Sequence, residues 1–256
     1  MKGFNVLLGK ELTEAWRTRR LPLVAILFVL VGLVSPLTAR YLPDILKAAL
    51  GDQAVGIPLP PADVAAAVGQ LEKNLGQLGA LAAIALAMSS VSGELDRGTA
   101  ALVLAQPVAR PAFLAAKLVA IAIVLAISTA LAVAVAWVYT VILFEMQPVG
   151  PWLALFALNW LPLLVWAALT VWASSATGST TAAAGLGFVA LIALSIAAVI
   201  PLLEQWLPAG LTNPAMSIAV GADVDATKLT TAVVGSAAIV ALAVGGSIAS
   251  FRGREL

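Results

Sequence analysis

Residues 92–117 read SGELDRGTAALVLAQPVARPAFLAAK, a charged, turn-bearing island between two long apolar runs. Glu94, Asp96 and Arg97 stand together near its start, followed by Gly98-Thr99. Such side chains can pair with each other, stay solvated, or dock onto charged groups of another protein. Gly98 can break an incoming helix, and Thr99 can cap a following short helix over 100–106. Pro107 stops that helix, and Pro111 suits the first turn of the next long one. The expected product is a short helix between two spans, lying across the membrane surface.

A second charged element is the N-terminal stretch 2–17, KGFNVLLGKELTEAWR. Read as a helix, it places Phe4, Leu7, Leu8, Leu12, Ala15 and Trp16 on one face, with Lys2, Lys10, Thr13 and Arg17 off that face. It serves either as a topology anchor or as a surface helix that also touches a cytoplasmic partner. Catalysis has fewer options. There is no cysteine and no histidine, which removes disulfides, thiol nucleophiles, Cys/His metal sites and every His-based triad. Carboxylate chemistry stays formally open, but an intramembrane enzyme needs paired groups inside the bilayer, and no such pair is visible.

The elements that position these residues are set by composition. The chain is 62% hydrophobic and 11% charged, with mean hydropathy +1.04, against roughly 25% charged residues in soluble domains. This describes an all-α polytopic membrane protein, one transmembrane domain over 1–256. Six apolar spans are drawn at about 21–40, 75–92, 113–144, 152–174, 181–203 and 229–250. The second can continue a helix begun outside the membrane, where Val64, Ala67, Val68, Leu71, Leu75 and Leu78 follow one helix face after Pro60-Pro61. The first run is too long for a signal peptide and is expected to remain uncleaved. With both termini inside, ten of the 14 Lys and Arg residues fall on the cytoplasmic side, as the positive-inside rule asks. Segments 1–20 and 93–112 are then cytoplasmic, and 41–74 and 201–228 extracytoplasmic. Net charge of +1 and the lack of a basic tail give no support for nucleic acid.

The segment 201–226 is broken by Pro201, Pro208 and Asn213-Pro214, too apolar for an ordinary loop and too interrupted for a span. A re-entrant pair of half-helices between spans five and six is expected. Within the spans almost no ionisable residue is found, Glu145 and Glu204 falling at outer ends and Asn159 being the most polar group near a middle. That argues against ion coupling. A nucleotide site is also missing, since Gly9-Lys10 lacks the upstream glycine of a P-loop. Transport would need energy from a separate ATPase. Gly178, Ala183 and Gly187 offer close helix packing, within the chain or between two copies.

These stretches together resemble the membrane subunits of ABC exporters, the ABC-2 type permease family. The resemblance rests on Lys10-Glu11-Leu12 with Arg17-Thr-Arg-Arg20, on Glu94-x-x-x-Gly98-Thr99, on Gln106-Pro107-Val108-Ala109-Arg110 and on Lys117. Ser35-Pro36-Leu37, Tyr41-Leu42-Pro43 and the 62–78 helix are similar to a subgroup that includes permeases of copper-enzyme maturation systems. The resemblance implies a homodimer in a prokaryotic inner membrane, with two copies of a cytoplasmic ABC ATPase that carry ATP and Mg; this chain would hold no cofactor. It implies that Glu94, Asp96, Arg97, Gly98 and Thr99 couple to the ATPase. It makes 2–17, with Lys10, Glu11, Glu14 and Arg17, the interface helix, and lets spans one and five meet their partners across the dimer, Gly178, Ala183 and Gly187 packing there. The alternative is a non-transporting membrane scaffold that recruits a cytoplasmic partner through the same island. Absence of Cys and His, with only four Met, speaks against direct handling of soft metals.

Overall fold

The computed structural model describes residues 3–50, 61–98 and 109–252. All regular elements among them are helical. Six helices are long and apolar enough to cross a membrane: Arg20–Leu50, Val64–Asp96, Arg110–Leu143, Val149–Thr177, Thr180–Ala197 and Ala226–Phe251. The six expected spans are therefore present, with shifted ends. Helix α1 (Phe4–Arg17) precedes them. It turns into α2 (Arg20–Leu50) at Arg19, whose φ of 61° is left-handed. A side chain there costs about 1–2 kcal/mol of backbone strain.

Helix α2 does not stop near residue 40 as the apolar run suggests. It continues through Pro36 and Pro43, because neighbouring helices and Ser/Thr hydroxyls can compensate a proline's missing donor in a membrane helix. Its close partner is α6 (Arg110–Leu143). Gly32 is what permits that approach: a Cβ there would collide with the Ala132 carbonyl oxygen.

The second spanning unit is built in pieces, α3 (Val64–Asn74), a π turn (Leu75–Gly79), α4 (Ala80–Met88) and α5 (Ser92–Asp96). Asp63 caps its start by accepting the Ala66 N–H at 2.8 Å. The expected stripe is buried at Ala67, Val68, Leu71 and Leu75 but not at Leu78, which is exposed. The π turn explains the slip: one extra residue in the turn rotates the following side chains, and Gly79 and Ala80 take the inward position instead.

Helix α7 (Val149–Thr177) is the central one, packing on α4, α6, α8 (Thr180–Ala197), α10 (Thr212–Ala219) and α11 (Ala226–Arg252). Helix α8 is peripheral, with 11% of its apolar window buried. The broken segment forms three short pieces rather than a pair of half-helices: α9 (Pro201–Glu204), a 3-10 turn (Pro208–Leu211) and α10. Its prolines start helices instead of ending them. Pro201 and Pro208 open their elements and Pro214 sits in the first turn of α10, where no intrahelical N–H is needed.

Candidate functional site

The site begins at a break. Between α4 and α5 the helix is interrupted at Ser89–Val91, leaving backbone donors with no helical acceptor. Ser174 of α7 supplies one: its hydroxyl accepts from the N–H groups of Val91 at 3.3 Å and Ser92 at 3.0 Å and donates to the Met88 carbonyl at 2.9 Å. The Ser92 hydroxyl lies 2.9 Å from that of Thr180 at the start of α8. Ser174 and Ser92 are fully buried. Helix α5 is thereby fixed, and so is the direction of Glu94.

Glu94 turns inward. Its Oε1 accepts from Lys117 Nζ at 2.8 Å and Lys10 Nζ at 2.5 Å. Lys117 Nζ also reaches Glu11 Oε1 at 2.9 Å and stands 4.8 Å from the centroid of the Phe113 ring. That ring stacks on Phe251, centroids 5.5 Å apart. Lys117 is 3% exposed, so its charge is tolerable only because two carboxylates and a ring face surround it. The knot joins four elements: α1, α5, α6 and α11.

Glu11, Glu14 and Glu94 bring carboxylate oxygens within 4.8 Å of one another, the spacing of a cation site. The Lys10 ammonium takes the cation's place, 3.1 Å from Glu11 and 3.5 Å from Glu14 as well as beside Glu94. Partial burial alone would lower the Lys10 pKa. The hydrogen bond donated to Glu94 and the charges of Glu11 and Glu94 outweigh that and hold it above the usual lysine value. A cavity of about 60 Å³ lies beside the knot, lined in part by Glu11, Glu94, Arg97 and Lys117.

Several expectations change. Glu94 is not a solvent-facing docking charge; it is the internal anchor of α1. Asp96 and Arg97 are exposed and make no ion pair among the described residues. Gly98 does end the helix, with φ +67° and its N–H on the Leu95 carbonyl at 3.0 Å. Thr99 and the expected helix 100–106 lie outside the described residues. On α1, Leu7 is buried and Glu11 and Glu14 are half-buried, whereas Trp16 and Arg17 are exposed. Of the expected apolar face, Leu7, Phe4 and Leu8 pack on the core, and Glu11 and Glu14 turn inward beside it to meet the lysines.

The small residues of the fifth span are used inside the chain. Ala183 and Gly187 are buried, and a Cβ on Gly187 would lie 2.6 Å from Thr170 Oγ1 of α7 and 3.1 Å from Ile84 of α4. Gly178, at φ +69°, terminates α7. Ala183 and Gly187 thus pack within the chain, whereas a Cβ on Gly185 of the same helix would meet nothing within 4 Å.

Glu72, which the sequence puts in the outer part of the helix that continues into the second span, is buried there against Asn159, whose Nδ2 donates to its Oε1 at 2.6 Å. The sequence analysis did not single out this contact; the signal that could have found it is the helical stripe through Leu71 and Leu75, which brackets Glu72.

The family model described as ABC-2 family transporter protein matches residues 5–215. A Bacillus subtilis (strain 168) protein, the uncharacterized transmembrane protein YxlG, is 29% identical over 224 residues, 85% of each chain.

Proposed function

The chain belongs to the ABC-2 family of transporter proteins, and from that membership we propose that it is the permease of an ATP-driven exporter. Two copies would work with a separate cytoplasmic ATPase in a prokaryotic inner membrane. The observation that carries this reading is the knot of Lys10, Glu11, Glu94 and Lys117, because it ties an amphipathic surface helix to the second and third spanning units. Force applied to α1, or to Asp96 and Arg97 beside it, reaches the spans through fixed contacts rather than through a loop. Coupling requires that the partner's nucleotide states bind this surface with different affinity.

The Lys and Arg asymmetry supports a cytoplasmic location for this end. Homodimerisation is supported by α8, the least buried span, whose Leu186, Val189, Ile192 and Ile196 are exposed. ATP and Mg belong to the partner, since the chain lacks a phosphate-binding loop.

The test is co-purification with ATPases encoded alongside the chain, followed by ATP hydrolysis in lipid. A complex whose hydrolysis changes with this chain, and falls with Glu94→Ala while insertion is intact, supports the exporter. Binding without any nucleotide effect favours the scaffold instead.

A further inference from the structure

We propose that Glu72, Asn159 and the cavity beside them form a receptor, buried within the helix bundle, for the protonated amine of an amphipathic ligand. Within the exporter reading this names a substrate class, and it rests on that reading for the transport step alone.

Both residues are buried between the second and fourth long helices, Glu72 at 8% and Asn159 at 6% exposure. The Asn159 amide spends its two donors on Glu72 Oε1 at 2.6 Å and the Leu155 carbonyl at 2.9 Å. Among the described residues no donor meets Glu72 Oε2 or Asn159 Oδ1. Both residues line a cavity of about 180 Å³. Two irregular backbones shape its walls. Pro162 has no N–H, which frees the Leu158 carbonyl from its helical bond, and the π turn Leu75–Gly79 widens the opposite helix. Both Leu158 and Pro162 line the cavity.

The site is therefore rich in acceptors and, among the described residues, is lined by no lysine or arginine. A buried carboxylate without a cationic partner is costly, so a ligand that brings N–H donors and positive charge completes it. The remaining wall carries two hydroxyl residues, Ser195 and Thr212, but is mostly apolar, and Leu163, Trp166 and Leu191 suit methylene groups. A bare metal ion fits less well, because hard cations want about six oxygen ligands and most of this lining is carbon.

The test is calorimetric titration of the full chain in lipid nanodiscs with n-octylammonium or n-octanol, empty nanodiscs subtracted. Saturable octylammonium binding, with octanol about tenfold or more weaker, is expected. Glu72→Gln should abolish that preference. Gly76→Leu, which leaves Glu72 in place and fills space where nothing stands within 4 Å of a new Cβ, should remove octylammonium binding and keeps the test open if Glu72→Gln unfolds. Equal affinity for octanol, no saturable binding, or a preference that survives Glu72→Gln would overturn the proposal. None of these outcomes involves an ATPase, so failure here leaves the exporter reading standing.

Discussion

Lys117 Nζ lies 2.8 Å from Glu94 Oε1 although the two residues are 23 positions apart and separated by a turn. With the lysine side chain 3% exposed, this is an interior ion pair at one end of a helix bundle. Breaking such a pair from one side costs far more than losing a surface bridge, because the remaining charge stays buried.

Lys117→Met should destabilise the chain by about 3 kcal/mol or more. Adding Glu94→Gln to it should cost less than the sum of the two single changes, since each removes the charge that the other leaves stranded. Thermal unfolding of the three variants in detergent measures this. Strict additivity would mean that the two side chains do not act as a pair.

Lys10 sets a pH signature. Its folded pKa is raised, against the lowering by burial, through Glu94 and Glu11. A raised lysine contributes stability that is fully present below its unfolded value of about 10.4 and is lost as pH rises through the folded one. The stability difference between the native chain and Lys10→Met should thus be constant from about pH 6 to 9.5. A difference that fades below about pH 9 would contradict the pairing.

Ser174→Ala removes the acceptor for two buried backbone N–H groups, at a cost of about 1–3 kcal/mol. The loss should be local as well as global, with faster amide hydrogen exchange at Val91 and Ser92 than in α6. Unchanged exchange there would show that α5 is held by other means.

Gly187→Leu and Gly185→Leu separate internal packing from packing between copies. A Cβ at Gly187 meets Thr170 and Ile84, whereas one at Gly185 meets nothing within 4 Å. The first should lower stability by about 1–3 kcal/mol in monomeric preparations and the second should have little effect. The opposite ranking would place a partner chain, not α7, against Gly185.

The spans and the glycine turn were legible because long apolar runs and a left-handed position leave local marks. Gly98 is such a position. The knot was not, because Lys10 and Glu94 are 84 residues apart and nothing in either neighbourhood names the other. Periodicity found the packed residues Phe4, Leu7 and Leu8 of α1 but included Trp16, which is 64% exposed, and missed Glu11, since a hydrophobic pattern gives no weight to a carboxylate seeking Lys117. The Glu72 contact was hidden for the same reason. The helix start at Val64 was legible after Pro60-Pro61, but Asn159 lies 87 positions from Glu72.

The hydroxyl cluster of Ser92, Ser174 and Thr180 has a mechanical meaning. It bolts the tip of α5 to the end of α7 and the start of α8, and only Gly178 and Ser179 separate the latter two helices. At this end three helices are stitched together by side-chain hydroxyls over a two-residue link, so the loss of any one hydroxyl loosens all three at once, whereas the far end of α8 near Ala197 has no such stitch among the described residues.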